Sequence, residues 1–135
     1  MSIPVGVRLC NPLNLELGDG SILYVGEVRP SKQPPFREFI DLAHGFRAGV
    51  EELRAYQLHH GIETIAQAIE RHAPAADGNP TETYAKAVAS ECGVGVDDPI
   101  RFGDYFFPLL DAMSFQECGI RFDVATIDLG ISLAN

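Results

Sequence analysis

Through the first third of the chain, apolar positions come in short bursts broken by glycine and proline. From residue 45 onward they recur at three- and four-residue steps, the spacing of an amphipathic helix. Residues 45–58 carry Phe46, Val50, Leu53 and Tyr56 on one stripe, and Gly61 offers the left-handed conformation that ends such a helix. A second helix is predicted from Glu63 to about His72, with Ile62, Ile65, Ala66 and Ile69 inward. It stops at Ala73-Pro74, because the residue before proline is pushed out of helical angles. The third opens with Asn79 as cap, Pro80 at the first helical position and Glu82 at the third. Its inner face is Tyr84, Ala87, Val88 and Cys92, and Gly93 closes it. A fourth, capped by Asp104 and spanning about 105–116, places Phe106, Leu109, Leu110 and Met113 along one side, with Pro108 in the tolerant first turn. Glu117 continues that side, four residues beyond Met113 and seven beyond Leu110, just before Gly119.

The flanks read differently. Residues 6–15 hold a turn around Asn11-Pro12, in which Asn14 can bond its own backbone. Gly18-Asp19-Gly20 marks another turn, and residues 21–28 favour a strand. A loop with three prolines follows over 30–35, and Phe36, Phe39 and Ile40 return to the core. The tail alternates in part, with Ile120, Phe122 and Val124, then Ile127, Leu129, Ile131 and Leu133, which predicts a strand or a docking arm. The expected fold class is therefore mainly α within α+β. It is one domain: an N-terminal turn and hairpin region over 1–43, a helical body over 44–119 and a C-terminal arm over 120–135.

Composition narrows the partners. A net charge of −9 on 135 residues argues against nucleic acid, which asks for a basic stripe, and against electrostatic adhesion to anionic envelopes or lipid. No apolar run approaches the roughly twenty residues of a membrane span, and the N-terminus lacks a basic-then-apolar signal pattern. Synthesis without a signal peptide in a cytoplasm is the expectation. Cys10, Cys92 and Cys118 are odd in number and lack ligand spacing, so buried thiols are expected rather than a disulfide framework or a zinc site. His59, His60 and His72 have no cysteine or carboxylate at ligand spacing; His60 reads as a helix-end residue and His72 as a core aromatic, and neither metal nor cofactor is expected.

The order of short motifs resembles a known group. Gly6-Val-Arg, Asn11-Pro-x-Asn14-Leu, Tyr24-Val-Gly26, Phe36-x-x-Phe39, Gly45-Phe-Arg-Ala48, Leu53-x-x-Tyr56, His60-Gly61-x-x-Thr64, Ile69-x-Arg71-x-Ala73-Pro74, Asn79-x-Thr81-Glu82-x-Tyr84 and Gly93-Val94 resemble small phage and prophage virion structural proteins of the lysozyme and lytic transglycosylase superfamily. The resemblance covers roughly residues 6–119. It implies a lysozyme-like fold, location in the virion, other virion proteins as partners, and peptidoglycan glycan strands as substrate. Glu117 matches the C-terminal glutamate of that group and is the implied general acid, a carboxylic acid kept protonated by apolar surroundings. Glu82 is the second catalytic candidate, although a third-position capping residue has a structural role of its own. Tyr84 resembles the tyrosine bordering the transglycosylase reaction centre, and otherwise reads as a core residue. Asn11 and Asn14 can hydrogen-bond an N-acetyl sugar or simply shape their turn.

The departures are specific. Leu9 and Cys10 replace the first two of three asparagines, Leu13 a glycine and His72 a tryptophan; Gln116-Glu-Cys-Gly119 stands where His-Glu-Asn-Gly is usual, and the chain has no tryptophan. These changes favour a virion structural protein over an efficient peptidoglycan lyase or muramidase. A cytoplasmic protein-binding module is the third class.

Overall fold

The computed structural model describes residues 2–18 and 22–135; the turn expected at Gly18-Asp19-Gly20 and the start of the strand expected from Ser21 lie outside them in part. Six α-helices and one two-stranded sheet form the described structure: α1 (Val5–Arg8), β1 (Glu27–Val28), β2 (Glu38–Phe39), α2 (Leu42–His60), α3 (Ile65–His72), α4 (Thr81–Cys92), α5 (Phe106–Cys118) and α6 (Val124–Leu133). The architecture is mainly α with a small β element, as the periodicity indicates.

The four expected body helices are present, and the differences lie at their ends. Helix α2 starts at Leu42 because the Asp41 side chain accepts from the His44 amide at 2.8 Å, and it ends on Gly61 at φ 64°. Helix α3 is held by a reciprocal capping box: Thr64 accepts from the Gln67 amide, and the Gln67 side chain returns to the Thr64 amide. Helix α4 does not use Asn79 as its cap. Pro80 occupies that position without a side-chain bond, while Asn79 Nδ2 donates to the Pro74 carbonyl at 3.0 Å and Thr81 Oγ1 to the Ala73 carbonyl at 2.5 Å. The tight loop between α3 and α4 claims both side chains. Likewise Asp104 falls inside a 3₁₀ turn (Phe102–Asp104), and Tyr105 leads into α5.

The core sits between α2, α3, α4 and α5, where Phe46, Val50, Leu53, Ile65, Ile69, Val88, Leu109, Leu110 and Met113 are almost wholly excluded from solvent. Helix α4 packs on both α3 and α5. In the N-terminal region the sheet is only two residues deep, pairing Glu27 with Phe39 and Val28 with Glu38. A buried ion pair stands behind it: Arg37 Nη1 lies 2.5 Å from Glu27 Oε1, and its guanidinium covers the Tyr24 ring at 4.7 Å.

The tail corrects the sequence expectation of a strand or extended arm. It is α6, packed against α2. Ile127, Gly130, Ile131 and Ala134 form a helical stripe that α2 can cover. Gly130 permits the approach, since a Cβ on it would lie 2.5 Å from Phe46 Cβ and 2.8 Å from the Ala43 carbonyl oxygen. Gly130→Val therefore forces α6 away from α2. The expected loss is about 2 kcal/mol with a lower melting temperature in thermal denaturation, and an unchanged melting temperature would show that α6 is not docked there.

Candidate functional site

Asn14 is brought to the site by the N-terminal turn. Asn11 builds that turn: its Nδ2 donates to the carbonyls of Leu15 and Arg37, both at 2.9 Å, and its Oδ1 accepts from the Leu15 amide at 2.9 Å. All the polar groups of its side chain are thus used internally, and Asn11 is buried. The sugar-binding role considered for Asn11 has no free group to carry it. The bend leaves Asn14 at φ 53°, a left-handed conformation that asparagine tolerates better than most residues. Its Nδ2 then points at Glu117 Oε1 from 3.0 Å. Gly6 makes room behind it, since a Cβ there would lie 2.9 Å from Asn14 Oδ1 and 2.7 Å from Cys118 Sγ.

Glu117 sits in the last turn of α5, and two more side chains converge on its second oxygen. Tyr84 of α4 donates its hydroxyl to Oε2 at 2.9 Å, and His72 Nε2, at the end of α3, lies 3.1 Å from the same atom. The two rings meet edge to face, with centroids 6.2 Å apart at 79°. Donation from His72 requires a proton on Nε2, which both the Nε2–H tautomer and the imidazolium supply. Four segments distant in sequence, the turn and helices α3, α4 and α5, therefore meet at one carboxyl group. Its side chain is 17 % exposed and that of His72 only 6 %.

Burial by itself would push the Glu117 carboxyl up, in the direction a general acid needs. The hydrogen bond and charge of His72, joined by the bonds from Asn14 and Tyr84, outweigh it and hold the group below its ordinary value. Near neutral pH the site is a fixed anion rather than a stored proton. The same contacts act oppositely on Tyr84, where burial and then the Glu117 charge push the phenol well up, so it remains a donor.

Glu117 opens onto a polar cleft of about 270 Å³, whose walls include Asn14, Glu16, Asp77 and Asn79. A neighbouring depression of about 240 Å³ shares Asn14, Glu16, His72 and Asp77 and adds Glu52, Tyr56 and Arg71. Glu82 is not part of this arrangement: it pairs with Lys86 at 3.0 Å on the exposed side of α4. Among the described residues, no group of three or more His, Cys, Asp or Glu side chains is placed to hold a metal ion. Of the five residues singled out in the sequence, the structure gathers Glu117, Tyr84 and Asn14, and leaves Asn11 behind the turn and Glu82 outside. His72 is the partner that sequence reasoning missed as such; it read there only as a core aromatic.

These observations define a mainly helical protein with a carboxylate cage at the edge of a polar cleft, and the comparisons with known proteins place it among phage proteins. The chain belongs to the family of Protein P5 of Pseudoalteromonas phage PM2. It is 41% identical to that protein over 116 residues, which cover 84% of this chain and 71% of the phage protein. No protein-family model matches the chain. Among the described residues, no helix is long and apolar enough to cross a membrane.

The pH consequence of the cage has a definite sign. A carboxyl group whose folded value is depressed adds stability above its unfolded value of about 4.3, and that contribution is lost as pH falls through the folded value. Glu117→Gln replaces an anion facing donors with an amide that must turn its NH₂ toward one of them. It is expected to lower stability by about 1–3 kcal/mol at neutral pH and to flatten the decline below about pH 4. Denaturant titrations of both proteins across that range check this; parallel pH profiles would show that the cage does not hold the ionised form.

Proposed function

We propose that the chain is a structural component of a phage virion, partnered by other virion proteins, and that Glu117 serves it as a fixed internal anion. The observation that carries this reading is the occupancy of the carboxylate: both oxygens accept from rigid side chains on three other segments, and its proton affinity is lowered. A group so held is well suited to tie the N-terminal turn to the helices. It is poorly suited to donate a proton to a glycosidic oxygen, which calls for a carboxyl group raised toward neutrality. Membership in the family of a phage protein supports the virion setting.

A second reading, a lysozyme-like fold that cleaves peptidoglycan glycan strands, is favoured by one observation. Glu117 lines a polar cleft with Asn14, Glu16, Asp77 and Asn79 in its walls, a lining suited to a sugar. In that reading Glu117 is the acid, Asn14 and Tyr84 position the sugar, and bound substrate must displace donors from the carboxylate before it can be protonated.

Two measurements separate the readings. Under the structural reading, the chain co-purifies with intact particles through a density gradient, and neither wild type nor Glu117→Gln clears a suspension of purified peptidoglycan. Clearing by the wild type that Glu117→Gln abolishes would establish the catalytic reading instead. Absence of the chain from purified particles would overturn the virion assignment.

A further inference from the structure

A second surface, remote in character from the polar cleft, runs along α2. Residues 22–25 lie beside the helix and leave a groove of about 360 Å³ with Ala48 and Ala55 among its walls. Its rim is apolar and open: Leu58 is 76% exposed and Ile22 68%, and Leu23 and Val25 are similarly bare. Two arginines and one carboxylate line it: Arg54 pairs with Glu51 at 3.2 Å, so the net positive charge of the groove is that of Arg47. This is a locally cationic, apolar trough on a chain of net charge −9.

The outer side of α6 is its complement. Leu129 (52% exposed) and Leu133 lie one turn apart on one stripe, with the exposed Asp128 beside them. The trough and this stripe adjoin on the same face of the molecule, because Arg47 Nε donates to the Leu133 carbonyl at 3.0 Å and Arg54 Nη1 to the Ala134 carbonyl at 2.6 Å. A surface that carries both halves of a complementary pair side by side is suited to two-fold self-association, in which each half meets its counterpart on the other copy. Apolar area at the centre with opposite charges at its edge is also the usual composition of such contacts.

We propose that this face is where a second copy of the chain docks: the Leu129–Leu133 stripe of each copy lies in the α2 groove of the other, and Asp128 faces the Arg47–Arg54 side. The inference concerns a surface apart from the Glu117 cage and stands or falls independently of the function assigned to the cleft.

Sedimentation equilibrium of the purified chain over a range of concentrations tests it. Wild type is expected to form dimers, and Leu58→Glu and Leu129→Glu, both exposed substitutions, are each expected to weaken dimerisation about tenfold or more with unchanged circular dichroism. Oxidation of a mixture of Leu58→Cys and Leu129→Cys chains is expected to yield a covalent heterodimer that neither variant gives alone. A wild type that stays monomeric throughout would assign the face to a different protein and overturn the proposal. So would a dimer that survives both glutamate substitutions, or a cysteine mixture that does not cross-link.

Discussion

The structure depends on a largely buried carboxylate, Glu117, held by donors from three other segments. Withdrawing the Glu117 carboxylate from water would be strongly unfavourable if it stood alone, and removing any one of its donors leaves its charge less satisfied. Because the donors come from the N-terminal turn, α3 and α4, the carboxylate on α5 couples parts of the chain that hydrophobic packing alone would orient less uniquely. The turn is anchored by buried Leu9, Leu13 and Leu15, shaped by the internal bonds of Asn11 and tied to α5 through Asn14.

That coupling also decides between the chemistries open to a glutamate at the end of an apolar helix. In an apolar pocket without donors the carboxyl group would be neutral at physiological pH and able to give up a proton. Here three donors reverse the effect of burial. The two outcomes differ by a few hydrogen bonds that neither spacing nor composition can show, and so the same position in sequence fits an acid catalyst and a structural clamp equally well. His72, at the end of α3, is one of those donors.

The helical body was legible because its signals are local. Gly61, Gly93 and Gly119 each end a helix in the left-handed conformation, at φ 64°, 72° and 73°, and the apolar stripes expected for α2 and α5 are the faces actually buried; on α3 and α4 the buried face takes in Ala68, Ala85 and Ala89 and leaves Ala66, Ala87 and Cys92 only partly covered. The tail was misread because the alternation of Ile127, Leu129, Ile131 and Leu133 satisfies a strand pattern, while the feature that selects a helix, the fit of Gly130 against Phe46 on α2, is tertiary. The same limit applied to the site. Glu117 stood out by its place on a stripe, and Tyr84 and Asn14 by resemblance, but Asn11 and Asn14 looked equivalent in sequence. Only the geometry of the turn sends one amide inward to the backbone and the other to the carboxylate. Capping was similarly overridden at Asn79, whose side chain bonds the loop before α4, and at Asp104, which falls within a 3₁₀ turn.

The central claim is that Glu117 is ionised and held by its donors throughout the neutral range. A carbon-13 NMR titration of its side-chain carboxyl in the folded protein measures this directly. The account predicts a midpoint below the ordinary glutamate value of about 4.3; a midpoint displaced upward toward 6 would contradict it and restore the proton donor that the cage otherwise denies.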